Sequence, residues 1–159
     1  MEPVGLRVRK GKAVTNSTLY DRDFYAWANE QAGLLRAGRL ADADIAHIAE
    51  EIESMGKSEK RELVSRLAVL LLYLLKWRYQ AARRGRSWQN SIEVQRIRLE
   101  AHLRDNPSLK SVLGEAIADA YREARLEAET ETGLDRTAFP ATCPWSFDQM
   151  MAEGFRPEE

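Results

Sequence analysis

Apolar residues recur at three- and four-residue intervals along most of the chain, the spacing that lines one face of an α-helix. No stretch of strand length alternates apolar and polar residues. The first helical face, Phe24, Tyr25, Trp27, Ala28, Gln31, Leu34 and Leu35, follows Asp21 and ends at Gly38. A carboxylate at Asp21 suits the N-cap, where it accepts free first-turn amides, and glycine suits the stop. A second face, Ile45, Ile48, Ala49, Ile52 and Met55, follows Asp42 or Asp44 and leaves Glu50, Glu51 and Glu53 off the stripe. Gly56 is expected to end it, and Ser58 to open a third helix.

That third helix carries Leu63, Leu67, Leu70, Leu71, Leu74 and Trp77 on one stripe, widened by Val64, Ala68, Leu72 and Leu75. A helix apolar on most of its circumference belongs at the centre of a bundle. Its uncharged run, Leu67 to Leu75, is bracketed by Arg66 and Lys76 and falls far short of the roughly 20 residues a membrane span needs. After Gly85, Ser87 is the candidate cap of a fourth helix with Trp88, Ile92, Leu99 and Leu103 inward. Asn106-Pro107 starts a fifth, whose face runs from Leu109 to Ala128 and closes at Gly133. Ser146 and Gln149 have capping-box spacing, and Trp145 and Met150 staple spacing, for a short terminal helix ending at Gly154. The expected fold is all-α: a compact bundle of five main helices plus a short C-terminal one, the third helix central.

Length and composition fit one soluble domain, here residues 21–159, behind a flexible basic arm over residues 1–20 that holds Arg7, Arg9, Lys10 and Lys12. With 159 residues and 44% hydrophobic content the chain can bury a core without a staple, and its single cysteine, Cys143, cannot form an internal disulfide. No apolar stretch of signal-peptide length follows the basic N-terminus, so a cytoplasmic location is expected.

Charge is distributed in blocks beneath a net of −1: about +3 over residues 1–20, −4 over 21–62, +6 over 63–106 and −6 over 107–159. Within the basic block Lys76, Arg78, Arg83, Arg84 and Arg86 occur without an acid among Trp77, Tyr79 and Trp88. Guanidinium groups suit phosphate oxygens and flat rings suit unpaired bases. Lys76, Arg78, Arg83, Arg84, Arg86 and Trp88 are therefore the candidate ligand-binding residues, and the 1–12 arm would assist if the ligand were nucleic acid. The bland alternative is core aromatics at a helix corner with arginines paired to acids nearby. On the fifth helix Glu115, Asp119, Glu123, Glu127 and Glu131 step by four into one acidic row. Arg122 and Arg125 offset part of it, and the basic 76–98 region is its expected counter-surface.

His47 with Glu50 or Glu51 could share a helical face, but the inward Glu-x-x-His pairs of a dimetal bundle are missing from the sequence. A half-buried imidazole bonded to a carbonyl is the expectation there. No phosphate-binding loop, dinucleotide glycine pattern, serine elbow or zinc spacing occurs, and no catalytic residue, metal or cofactor is expected.

These residues resemble the bacterial family known as domain of unknown function 29. The likeness runs from Tyr20, Asp21, Asp23, Phe24, Trp27 and Leu34 through Glu50-Glu51-Ile52-Glu53-Ser54-Met55-Gly56, Lys60-Arg61 and Leu63. It continues with Leu74-Leu75-Lys76-Trp77, Tyr79-Gln80, Arg86-Ser87-Trp88, Ile92, Gln95-Arg96 and Asn106-Pro107-Ser108-Leu109, and ends with Pro140, Cys143-Pro144 and Phe155. The resemblance covers residues 21–155 and implies a helical domain of about this length, with no activity attached. The family commonly has a histidine before the Leu-Leu-Lys-Trp run, where this chain has Tyr73. The expected function is that of a non-enzymatic interaction or accessory module of a bacterial cytoplasm, with a protein partner or a second copy as candidates. The alternatives are a nucleic-acid-binding module and a metal-assisted hydrolase built on the second-helix carboxylates.

Overall fold

The computed structural model describes residues 18–158. The fold is all-α, and no strand occurs among the described residues. Six α-helices are described: α1 (Leu19–Arg22), α2 (Phe24–Arg36), α3 (Ile45–Tyr79), α4 (Arg86–Asp105), α5 (Leu113–Thr132) and α6 (Phe147–Met151). Contacts divide the chain into two units between Met55 and Gly56. Positions 1–17 of the expected basic arm lie outside the described residues, whereas positions 18–20 belong to the start of α1, earlier than the expected boundary at Asp21.

In the first unit, Thr18 is the N-cap of α1, and the Asp21 carboxylate accepts from its backbone amide at 3.3 Å and its hydroxyl at 2.9 Å. Asp21 therefore serves inside the first turn of α1 and does not cap the longer helix. That role falls to Asp23, which accepts from the Ala26 amide at 3.0 Å. Gly38, in the left-handed region at φ 71°, ends α2 as expected. Asp44 accepts from the His47 amide at 3.4 Å at the entry to α3.

The expected break at Gly56 is absent: α3 is a single helix of 35 residues. Glycine inside a helix costs only about 1 kcal/mol relative to alanine, and the helix formers Lys57, Glu59, Lys60, Arg61 and Glu62 follow it. Ser58 lies in mid-helix and caps nothing. The main helices accordingly number four among the described residues, the expected second and third being one.

In the second unit the Leu-rich half of α3 is the centre of the core, as its circumference predicts. Leu63, Leu67, Leu70, Leu71, Leu74 and Leu75 are completely buried, in one cluster with Ile92, Leu99 and Leu103 of α4 and Ala116, Ala120, Tyr121, Ala124 and Ala128 of α5. Each such leucine contributes about 1.5–3 kcal/mol by leaving water. The cap of α4 is Gly85 in extended backbone, so Ser87 lies within the helix. Asn106 closes α4, its side-chain amide donating to the His102 carbonyl at 3.1 Å, and a 3-10 turn over Pro107–Val112 precedes α5. Gly133 ends α5 at φ 73°, and Ser146 with Gln149 forms the expected capping box of α6. Arg96 of α4, 4% exposed, holds the C-terminal segment in place. Its Nε donates to the Met150 carbonyl at 2.7 Å, its Nη2 to the Phe155 carbonyl at 2.6 Å, and its Nη1 pairs with Glu93 at 2.8 Å.

Candidate functional site

The basic corner is partly consumed by its own fold. Lys76 Nζ lies 2.6 Å from a Glu131 carboxylate oxygen and 4.8 Å from the ring centres of both Tyr73 and Trp88. The structure thus brings Lys76 and Trp88 together, with the ammonium lying over the indole. Arg84 Nε donates to the Trp77 carbonyl at 2.6 Å, and its guanidinium lies 5.5 Å from the Trp77 ring. Arg78 sits beside Tyr79 at 5.4 Å. Arg83 and Arg86 are exposed, and among the described residues no ion pair engages them. The six sequence candidates therefore divide into an engaged set and two free arginines.

The acidic row is anchored by lysines of α3. Lys60 reaches Glu115 at 2.7 Å and Lys76 reaches Glu131 at 2.6 Å, each across 55 residues of sequence. Equal separation means that α3 and α5 run in the same direction. Of the expected basic 76–98 region only Lys76 contributes a pair to this row among the described residues. Arg122 and Arg125, expected to offset it, make no ion pair there.

A second constellation lies entirely within the first unit. The His47 imidazole is bonded through Nδ1 to Asp44 Oδ2 at 2.6 Å, which corrects the expected carbonyl partner. Trp27 Nε1 donates to the same Asp44 oxygen at 3.0 Å, and the Asp44 amide donates to Gln31 Oε1 at 2.6 Å. The Tyr20 ring stacks on His47 and its hydroxyl donates to Glu51. Of the aromatic face expected on α2, Trp27 finds partners in Asp44 and His47, whereas Phe24 and Tyr25 are exposed. The Asp44 carboxylate beside it raises the His47 pKa, and the His47 hydrogen bond lowers that of Asp44. The bond to Glu51 pushes the Tyr20 hydroxyl up to about 12. Among the described residues no three His, Cys, Asp or Glu side chains converge as metal ligands, and Glu51 is occupied by Tyr20.

The apolar stripe of this part of α3 departs from the sequence expectation. Ile45, Ile52 and Met55 are 53%, 59% and 61% exposed, although their periodicity marks a packed face. Between Ile45 and Met55 α3 carries Glu50, Glu51 and Glu53 and no lysine or arginine. The sequence signal for the histidine dyad was the three-residue spacing of Asp44 and His47. Tyr20, 31 residues from Glu51, left no such signal.

Fold and surface together define a helical protein with an exposed apolar stripe on an acidic stretch of helix and a largely self-satisfied basic corner. No helix among the described residues is long and apolar enough to cross a membrane. The chain belongs to the family described as Domain of unknown function DUF29, whose model matches residues 19–156. No curated protein and no solved structure matches it.

Proposed function

We propose that this protein is a non-enzymatic interaction module of a bacterial cytoplasm, docking a basic, apolar segment of a partner protein on the exposed stripe of α3. The observation that carries the reading is the exposure of Ile45, Ile52 and Met55 on a stretch of α3 that holds three glutamates and no lysine or arginine. Apolar side chains at helical spacing supply docking energy at about 25 cal/mol per Å² removed from water, and the flanking carboxylates select a cationic partner. A second copy would set two acidic stretches against each other. The Tyr20, Trp27, Asp44 and His47 network supports the reading by fixing the helix that presents the stripe. The lone thiol of Cys143 supports a reducing compartment. Nucleic acid is the weaker alternative, because Lys76 and Arg84 are already engaged within the protein.

The test is titration of the full chain with a short amphipathic Lys/Leu peptide, its Glu/Leu counterpart and a short RNA, followed by backbone amide shifts. The Lys/Leu peptide is expected to move residues 45–55, the Glu/Leu peptide not, and Ile52→Glu to weaken binding about tenfold or more. Absence of a response at 45–55, dimerisation through that stripe, or RNA binding centred on Arg83 and Arg86 overturns the proposal.

A further inference from the structure

The chain after α5 folds back along it. The Tyr121 hydroxyl donates to the Pro140 carbonyl at 2.6 Å, and Arg125 Nη2 to the Phe139 carbonyl at 3.3 Å. Beside this seam lie two cavities that share Arg122 and Ala141 in their walls. One, of about 380 Å³, is lined mainly by apolar surface from Ile117, Ala118, Tyr121 and Cys143. The other, of about 200 Å³, is lined by Arg122, Arg125 and Arg136. The second unit therefore places an apolar slot end to end with three guanidinium groups.

Glu129 pairs with Arg136, one of these three, and Asp135 is held by Thr137, which leaves Arg122 and Arg125. Glu129 accepts from the Arg136 backbone amide at 2.6 Å and its guanidinium at 3.3 Å, and Asp135 accepts from the Thr137 amide at 2.9 Å and hydroxyl at 2.6 Å. Among the described residues no carboxylate pairs with Arg122 or Arg125. Among the described residues the Arg125 Nε–H is buried without an acceptor, an arrangement that folded proteins disfavour. Burial raises the Cys143 thiol pKa, so the apolar slot gains no negative charge from it.

We infer that this groove binds a small carboxylate with a short apolar tail, the carboxylate at Arg122 and Arg125 and the tail along Ile117 and Tyr121. Guanidinium groups match the planar carboxylate with paired donors. The volume of the apolar slot lies toward the lower end of small-ligand cavities, which restricts the tail to several carbons.

The probes are hexanoate, hexylamine, and acetate or inorganic phosphate, titrated into the full chain with amide shifts and calorimetry as readouts. Hexanoate is expected to bind saturably and shift Ile117, Tyr121, Arg122 and Ala141. Hexylamine is expected not to bind, and acetate and phosphate to bind at least about tenfold more weakly. Arg122→Glu should abolish hexanoate binding, and Arg122→Gln weaken it about tenfold, at unchanged melting temperature, since Arg122 is exposed. Equal binding of hexanoate and hexylamine, phosphate binding as tight as hexanoate, no saturable hexanoate binding, or full binding by a folded Arg122→Gln variant overturns the inference.

Discussion

The Tyr20 ring lies parallel to the His47 imidazole, 4.0 Å away with 14° between the planes, while its hydroxyl is tied to Glu51 and the imidazole to Asp44. One stacked pair thus links α1 to two different carboxylates of the α3 entry.

The pair makes the first unit sensitive to pH. His47 has its pKa raised above 6.5, chiefly by its hydrogen bond to Asp44, so its contribution is complete below 6.5 and is lost as pH rises through the raised value. Asp44 has its pKa lowered below 3.8, chiefly by His47, so its contribution is complete above 3.8 and is lost as pH falls through the lowered value. Stability of this unit from the dyad is greatest between those two ordinary values. Ring-proton NMR should show His47 titrating above 6.5 and Asp44→Asn returning it toward 6.5. Absorbance titration should find Tyr20 near 12, falling in Glu51→Gln.

Lys76 and Lys60 make chemically identical pairs in different settings. The Lys76 side chain is 13% exposed and covers two rings, whereas that of Lys60 is 35% exposed. Lys76→Ala should cost about 1–2 kcal/mol and Lys60→Ala under about 1 kcal/mol, measured by urea unfolding. A Lys76/Glu131 double-mutant cycle separates the ion pair from the ring contacts.

Gly56 and Gly133 should respond oppositely to alanine. Gly56 is mid-helix with open space where a Cβ would point, so Gly56→Ala should stabilise by about 0.4–1 kcal/mol. Gly133 holds φ 73°, so Gly133→Ala should destabilise by about 1–2 kcal/mol. Thermal unfolding monitored by circular dichroism reads both.

Arg96 should be irreplaceable by lysine. Arg96→Ala strands the Met150 and Phe155 carbonyls, at a cost of about 1–3 kcal/mol for each group left buried and unpaired. Lysine offers a single ammonium and cannot reproduce the guanidinium fork. Faster amide exchange at residues 150–156 in both variants is the expected signature.

The helices were legible where periodicity and backbone geometry agreed. The stripe of Leu63, Leu67 and Leu74, the left-handed Gly133 and the capping box at Ser146 all follow from local rules. Gly56 misled because a helix breaker acts only when its modest penalty exceeds what its neighbours supply. Ile52 and Met55 misled because periodicity tells which residues share a face and not whether anything covers it. Arg96 carried no sign of burial in sequence, since its acceptors are carbonyls 54 and 59 residues away. The sequence set His47 beside Glu50 and Glu51 and gave it a carbonyl partner, whereas Asp44, one turn before it, holds the imidazole, and the stacking of Tyr20 required the tertiary fold.

Lys60 with Glu115 and Lys76 with Glu131 act as two pegs set sixteen positions apart on both partners. Sliding one rod past the other by a single residue, about 1.5 Å along and a quarter-turn round, would unseat both pegs together. The buried side of α5 is largely alanine, whose small methyl groups offer few notches to arrest such slippage. Charge thereby adds to the axial alignment that the alanine contacts of α5 leave loosely determined.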